Sequence, residues 1–301
     1  MTLNEEYRER VRLLLQIIPI LSKTDCFAIH GGTAINLFVQ DLPRYSVDID
    51  VTYIPVQSRE ESLAAINSHL NEVKNKIKST VPGIHIQEKP NKLLCTYQGK
   101  IVKIEVNDVK RGLIADAVLM PLCKTAQIVF GVFCKAQIVS LSQLYGGKIV
   151  AALNRQHPRD LFDVKYMFDC IKNFDEIRQG FMFALLSSDR PVIETLSPHL
   201  IDQREAFENQ FAGMTNIPFS YEDYENTRLS LTEYVNHHLT DNDKCFLISF
   251  EKGAPEWEIT DYSNFRDYPS VLWKMLHINK LKNNNPKKHQ REIEKLSKSF
   301  N

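Results

Sequence analysis

The segment 47–53, VDIDVTY, is the feature that most narrows what this chain can fold into. Apolar and polar residues alternate along it, which is the period of a strand with one buried face. Side chains at i and i+2 share a face, so Asp48 and Asp50 stand side by side while the valines and isoleucine around them face a core. Two adjacent carboxylates repel each other unless a cation lies between them, and carboxylate oxygens suit Mg²⁺. A solvent-facing strand edge is the alternative.

A glycine pair follows a short apolar run upstream of this segment. Residues 27–29 are predicted to form a strand, Gly31 and Gly32 a turn, and residues 33–39 a helix. Glycines in such a turn let the backbone approach a ligand closely, and the amides that open the helix favour phosphate. An ordinary turn is the alternative. The sequence contains no G-x-G-x-x-G, no G-x-x-x-x-G-K-[ST] and no G-x-S-x-G motif.

A third carboxylate lies on the predicted strand 100–107. Glu105 sits on its polar face, because Val102, Ile104 and Val106 alternate with the polar residues. From a neighbouring strand, Glu105 would complete a two-metal site beside the aspartates or take the proton from an attacking hydroxyl.

The remaining periodicity predicts an α+β chain, with a mixed sheet and helices in residues 1–140 and an α-helical domain in residues 141–301. Further strands are predicted at 84–87, 92–97, 127–132 and 136–139, with a tight hairpin turn at Gln98-Gly99. Helices are predicted at 5–20, 58–79, 141–155, 159–172, 175–188, 202–213, 221–239 and 268–281.

Taken together, these motifs resemble a known family. The phrases GGTAIN and PRYSVDIDV, followed by VKIEVN, resemble the nucleotidyltransferase superfamily. The segment LSQLYGGKIVAALNRQHPRDLFDV resembles the helical K-x₆-R-x₃-RD-x-x-D motif of the AbiEii/AbiGii nucleotidyl transferase toxins. The phrases FENQFAGMTNIPFS, DKCFLISFEKGAPEW and PSVLWKMLHINKL also resemble that family, so the similarity extends from about residue 25 to about residue 285.

The resemblance implies a nucleotidyltransferase fold in residues 1–140 and a helical domain that contributes Lys148 and Asp160 to the cleft. It implies a toxin of a type IV toxin–antitoxin or abortive-infection system, which transfers a nucleoside monophosphate from an NTP and releases pyrophosphate. The implied cofactor is Mg²⁺, with Mn²⁺ as an alternative. The implied acceptor is RNA, with tRNA expected, and a separately encoded antitoxin is the implied partner.

The family motifs also assign roles to residues. The implied catalytic residues are Asp48, Asp50, Glu105, Lys148 and Asp160, of which Asp48, Asp50 and Glu105 would hold the metal. The implied nucleotide-binding residues are Gly31, Gly32, Thr33, Arg44, Ser46 and Arg155. The sequence departs from the family pattern at two places, since Ser46 stands where threonine is expected and Glu105 where many superfamily members have aspartate.

Several of these roles have structural alternatives. Lys148 would stabilise the transferring phosphates, and Asp160 would orient Lys148 or position the acceptor. An inter-helix ion pair is the alternative for Asp160 and its neighbours Arg159 and Asp163. The pair Arg44 and Ser46 either touches phosphates or lies on the surface.

The net charge of zero conceals an uneven distribution. The chain holds 37 basic and 37 acidic residues, but residues 191–273 carry 5 basic and 15 acidic ones, and residues 274–301 carry 8 and 2. The basic segment 280–298 is either a solvated helix or a surface that reaches RNA phosphates. The charge distribution therefore removes the objection to a nucleic-acid partner that the neutral total would raise.

Cysteine usage and hydropathy predict a cytoplasmic protein with no membrane partner. Six cysteines in 301 residues, with no C-x-x-C pair, indicate reduced thiols rather than a disulfide framework. The N-terminal stretch lacks the pattern of a secretory signal, and no run of 18 apolar residues occurs.

Two other functions remain open on the sequence. One is transfer of the nucleotide to a small hydroxylated molecule, and the other is a nucleotide- or RNA-binding module without catalysis. Labelled NTP that ends in RNA, in a small molecule or nowhere would separate the three.

Overall fold

The structure is a computed structural model that describes residues 3–300, except for the side chains of Leu3, Asp169 and Cys170. The chain forms two compact units. The first runs to Ser140 and also includes Glu208–Pro218, and the second comprises Leu141–Phe207 and the chain from Phe219 onward.

The first unit is built on one seven-stranded sheet with the order β3-β4-β5-β2-β1-β7-β6. Strand β2 runs parallel to β5 and antiparallel to β1, so it lies in the middle of the sheet. The strands are β1 (Phe27–His30), β2 (Asp48–Tyr53), β3 (His85–Lys89), β4 (Lys92–Tyr97), β5 (Lys100–Val106), β6 (Val118–Pro121) and β7 (Lys135–Ile138).

Four helices complete the first unit: α1 (Leu3–Leu21), α2 (Gly31–Ala34), α3 (Arg59–Thr80) and α4 (Lys124–Phe130). The short α2 continues into a π-helical turn, Ile35–Val39. Helices α1 and α3 pack against the sheet, and α3 begins with a capping box between Ser58 and Glu61. The apolar positions of these helices and of the central strands form the core.

The central strands have one buried and one polar face, as the alternation predicts. Ile49 and Ile104 are fully buried, whereas Asp48, Asp50 and Glu105 are partly exposed. The predicted orientation of the three carboxylates is therefore confirmed.

The second unit is helical. It contains α5 (Leu141–Arg155), α6 (Pro158–Cys170), α7 (Asp175–Leu186), α8 (Val192–Leu196), α9 (Arg204–Ala206), α10 (Tyr221–His238), α11 (Asp241–Glu251), α12 (Pro269–Asn284) and α13 (Pro286–Ser299). Helices α5 and α7 approach each other closely at Gly146 and Gly180. A Cβ on either glycine would overlap the backbone of the other helix, so only glycine permits this distance. Within residues 3–300, no helix has the length and apolar character needed to cross a membrane.

The α+β class is confirmed, with differences in detail. The predicted strand 127–132 is wrong, since most of it belongs to α4, and strand β6 was not predicted. The predicted helix 202–213 is only the short α9 followed by a π-helical turn, Phe207–Phe211. Helices α8 and α11 also lie outside the predicted helices, and α13 falls largely in the basic segment 280–298, for which a solvated helix was one of the two alternatives. The free thiols described are Cys26, Cys95, Cys123, Cys134 and Cys245, and the side chain of Cys170 lies outside the described residues.

Candidate functional site

The three predicted carboxylates lie on the polar face of two neighbouring strands, Asp48 and Asp50 on β2 and Glu105 on β5. Asp50 of β2 is in register with Glu105 of β5 on one side and with His30 of β1 on the other. Asp48, two residues earlier on the same face, is in register with Lys103. Residues in register on neighbouring strands have Cβ atoms about 5 Å apart, so these side chains share one patch of the sheet.

The glycine turn lies directly against this patch. Gly31 has φ +70°, a conformation that glycine adopts without steric cost. A Cβ on Gly31 would lie 2.8 Å from Oδ2 of Asp50, and a Cβ on Gly32 would lie 2.8 Å from Nη2 of Arg44 and 3.0 Å from Oγ of Ser46. The space that side chains at positions 31 and 32 would need is thus occupied by the carboxylate of Asp50, the guanidinium of Arg44 and the hydroxyl of Ser46.

Two hydroxyls brace the turn against the strand. Thr33 Oγ1 lies 2.5 Å from the carbonyl oxygen of Asp48 and donates to it, and it lies 3.1 Å from the hydroxyl of Ser46. Both hydroxyls are almost completely buried. The structure thus gives Thr33 and Ser46 a positioning contact, and their predicted contact with the nucleotide stays a prediction.

The loop that carries Arg44 is held by a segment distant in sequence. The amide of Tyr45 donates to the carbonyl of Met214 at 2.7 Å, and Thr215 Oγ1 donates to the carbonyl of Pro43 at 2.7 Å. Arg44 itself is 4 % exposed and donates to the carbonyl of Tyr45. The segment Glu208–Pro218 therefore supports the site from the first unit, although the sequence prediction assigned it to the helical domain.

Glu105 is paired with two lysines on the same face. Its carboxylate oxygens lie 2.6 Å from Nζ of Lys92 and 2.7 Å from Nζ of Lys103. Partial burial by itself would raise the pKa of Glu105, but the two lysines lower it below its ordinary value. The structure therefore shows Glu105 as a carboxylate balanced by two lysines, and its predicted roles as metal ligand and proton acceptor stay predictions.

The chemistry of the donor set fits a divalent cation at the two aspartates. Asp48 and Asp50 present carboxylate oxygens on one face, two residues apart, and such oxygens are the ligands that Mg²⁺ prefers. In the part of the chain that the structure describes, no three His, Cys, Asp or Glu side chains are grouped as metal ligands. The role of third metal ligand, predicted for Glu105, therefore stays a prediction.

The second unit contains a cluster of charges in which Lys148, Asp160 and Asp163 are buried and Arg155 is exposed. Nζ of Lys148 lies 2.9 Å from Oδ1 of Asp160 and 2.9 Å from Oδ2 of Asp163. Nη2 of Arg155 lies 2.8 Å from the other oxygen of Asp160. Lys148 and Arg155 stand two turns apart on α5 and reach the same carboxylate of α6. The inter-helix ion pairs expected for Asp160 and Asp163 are thus present, whereas among the described residues Arg159 makes no ion pair.

Burial and charge act in opposite directions on Asp160. Complete burial would raise its pKa, but Lys148 and Arg155 hold the pKa well below the ordinary value. The carboxylate is therefore ionised at neutral pH, and it holds the side chain of Lys148, from α5, against α6. This contact fits the positioning role predicted for Asp160, and the catalytic roles of Lys148, Asp160 and Arg155 stay predictions.

Comparison with known families identifies the chain. The sequence model described as "Nucleotidyl transferase AbiEii toxin, Type IV TA system" matches residues 12–240. The chain therefore belongs to this family of nucleotidyl transferase toxins of type IV toxin–antitoxin systems, and it is an enzyme of the nucleotidyltransferase class. Membership implies an NTP substrate and an antitoxin. The reading as a binding module without catalysis is set aside.

Solved structures show the same fold. MenT4, a nucleotidyltransferase toxin from Mycobacterium tuberculosis, superposes with a TM-score of 0.63 at 12 % sequence identity, covering 92 % of this chain and 95 % of MenT4. At that identity the likeness concerns the fold alone. A comparison with curated proteins finds no match.

Proposed function

We propose that this chain transfers a nucleoside monophosphate from an NTP to an RNA acceptor, with tRNA as the expected acceptor, in a reaction that requires Mg²⁺. The observation that carries this proposal is the close approach of the Gly31–Gly32 turn to the Asp50 carboxylate and the Arg44 guanidinium. The absence of side chains at Gly31 and Gly32 lets the backbone of the turn lie directly beside an anionic and a cationic side chain. Such an arrangement suits a metal-bound triphosphate.

Asp48 and Asp50 are the proposed metal ligands. When bound there, Mg²⁺ would neutralise negative charge on the triphosphate oxygens. The carboxylates of both residues stay on the polar face because the β2 residues between and around them are buried. The strand therefore fixes the direction of the ligands without relying on a flexible loop.

Arg44 is the proposed partner of the phosphates. Its side chain is almost fully buried, so the guanidinium is held in place rather than moving in solvent. A planar guanidinium offers several N–H donors to phosphate oxygens. The backbone of the glycine turn lies beside it, and this proximity leaves no room for a side chain at Gly32.

The reaction itself needs little covalent chemistry from the protein. The acceptor hydroxyl oxygen forms a bond to the α-phosphorus while the bond from that phosphorus to the bridging oxygen breaks, and pyrophosphate leaves. The hydroxyl proton passes to solvent or to a carboxylate. Fixed charges around the phosphates lower the barrier because they are already oriented when charge shifts to the leaving group.

The test follows the α-phosphate label. We expect α-³²P-labelled NTP, incubated with Mg²⁺, unfractionated tRNA and the full chain, to label the tRNA. Asp48→Asn preserves the size of the side chain and is expected to lower the rate at least about 100-fold. Asp25→Asn, an exposed carboxylate outside the site, is the matched control and should keep the wild-type rate.

Three outcomes would count against the proposal. Label that appears only in small molecules would move the acceptor to the small hydroxylated class. Equal labelling of tRNA by wild type and Asp48→Asn would remove Asp48 from the site. A rate that persists after chelation of divalent cations would remove the metal requirement.

A further inference from the structure

Helix α13 carries a ridge of four basic residues along its length. These residues are spaced at i, i+4, i+8 and i+11, which places them on one side of a helix, about 6 Å apart and about 16 Å from end to end. All four are exposed. They define the α13 ridge: Lys287, Arg291, Lys295 and Lys298.

The opposite side of α13 is anchored in the second unit. His289, Ile293 and Leu296 are buried, and Nε2 of His289 lies 2.7 Å from the carbonyl oxygen of Glu251. The side chain of Asn285 caps the start of the helix by accepting from the amide of Lys288. The helix packs on α8, α11 and α12. The ridge is therefore a fixed surface of the fold rather than a loose tail.

Contacts within the fold do not account for the four charges of the ridge. Among the described residues, none of its four side chains makes an ion pair or hydrogen bond, and the one ion pair within α13 joins Lys288 to Glu292. Like charges at i and i+4 destabilise a helix by about 0.2–0.5 kcal/mol per pair. Lys287 lies in the first turn, where the helix dipole disfavours a cation, whereas Lys298 lies in the last turn, where the dipole favours one. The fold tolerates these charges without any compensating contact.

The chemistry of the ridge selects its partner. A helix that lies on a membrane exposes its apolar face to lipid, but the apolar face of α13 is buried in the protein. Protein interfaces are depleted in lysine at their centre and enriched in aromatic residues, and the ridge has only basic side chains. Surfaces that bind nucleic acid are more polar and more positive than protein interfaces. A row of cations at regular spacing therefore fits a phosphate backbone best.

We propose that the α13 ridge binds the phosphate backbone of the RNA acceptor. The inference rests on the proposed function for the identity of that RNA, but RNA binding by the ridge is measurable without any catalysis. The ridge binds phosphates in any sequence context, because its contacts are to charge and not to base edges. It holds the acceptor and takes no part in the reaction at the α-phosphorus.

The experiment measures the affinity of the full-length protein for unfractionated tRNA, without NTP, as a function of salt concentration. The ridge variant replaces all four ridge residues with glutamine. The loss of up to four phosphate contacts should lower the slope of log K against log [salt] by about 3 in magnitude. The ratio of the tRNA affinity of wild type to that of the ridge variant should therefore fall roughly 60-fold between about 50 and 200 mM salt.

A matched control removes the same number of charges elsewhere. It substitutes glutamine for four exposed lysines of the first unit that make no described ion pair, namely Lys23, Lys76, Lys78 and Lys135. The control variant should keep most of the tRNA affinity and salt slope of wild type. Circular dichroism of both variants checks that the helices are retained.

The outcomes separate this inference from the proposed function. Loss of affinity in the ridge variant alone supports the ridge, whether or not nucleotide transfer is ever seen. Equal affinity and slope in the two variants overturns it, even when Asp48-dependent transfer to tRNA is intact. Unchanged tRNA affinity together with lost binding to phosphatidylglycerol vesicles overturns it in favour of a membrane surface.

Discussion

The substitution Gly31→Ala tests the fit of the glycine turn against Asp50. The new Cβ would lie 2.8 Å from Asp50 Oδ2, whereas ordinary contacts begin at 3.4 Å, so the two groups must separate by about 0.6 Å. A misplacement of 1 Å in a catalytic group costs roughly 100-fold in rate. We therefore expect kcat for nucleotide transfer to fall on the order of 10- to 100-fold. Alanine at φ +70° also costs about 1–2 kcal/mol of stability.

Two other glycines separate the loss of stability from the loss of fit. Gly99 and Gly131 have φ +75° and φ +64°, and a Cβ on either would meet nothing within 4 Å. Gly99→Ala and Gly131→Ala should therefore lose a similar free energy of unfolding but keep kcat. The assay is steady-state transfer of labelled NTP, with urea unfolding to give the folded fraction. Equal kcat in Gly31→Ala and wild type, or an equal loss in the controls, would refute the reasoning.

Two further predictions concern the buried ion pairs of the second unit. Lys148→Met leaves Asp160 and Asp163 without their shared cation, so the free energy of unfolding should fall by about 3–5 kcal/mol; a urea midpoint equal to that of wild type would contradict this. Because the pKa of Asp160 is lowered in the folded state, its contribution to stability is complete above about pH 4 and declines as the pH falls further. Urea unfolding between about pH 6 and pH 3 should show a steeper loss in wild type than in Asp160→Asn, and parallel curves would show that Asp160 contributes no such term.

Because Lys148 takes part in buried ion pairs, a loss of activity in a Lys148 variant does not by itself indicate a catalytic role. An alanine or methionine variant with no activity is expected on grounds of stability alone, since two buried carboxylates lose the cation that they share. A catalytic role for Lys148 would require a variant that folds with the wild-type unfolding free energy and still fails to transfer nucleotide.

The parts of the fold predicted from sequence are those with strong local periodicity. Strand β2 and the polar face with Asp48 and Asp50 follow from strict alternation, which needs no tertiary information. The hairpin at Gln98-Gly99 has φ values of +47° and +75°, which fit the tight turn that this dipeptide favours. These features are determined by residues close together in sequence.

The wrong strand at 127–132 has a long-range cause. Oδ1 of Asp41 accepts from the amide of Thr125 at the start of α4, and Oδ2 accepts from its hydroxyl, both at 2.8 Å. This cap comes from a residue 84 positions earlier, so the local sequence does not reveal it. Gly131, with φ +64°, ends the helix. A short apolar run cannot be assigned to strand or helix by periodicity alone.

Some features of the structure that were not predicted nevertheless have a recognisable signal in the sequence. Helix α11 begins with a capping box in which Thr240 accepts from the amide of Asp243, and a T-x-x-D pattern of this kind marks a helix start. The pairing of Lys92 with Glu105 follows from the register of the hairpin, which places the two residues opposite each other. The contact of Met214 with the loop at Tyr45 had no such signal, because it joins segments 169 residues apart.

The most direct test of the central claim is the balance between RNA product and pyrophosphate. The full chain is incubated with tRNA, Mg²⁺ and each NTP in turn, and the intact mass of the tRNA is measured alongside released pyrophosphate. The account predicts tRNA heavier by whole nucleoside monophosphates, with one pyrophosphate for each nucleotide added and neither product with Asp48→Asn. Pyrophosphate release with unchanged tRNA mass, or mass added equally by Asp48→Asn, would contradict it.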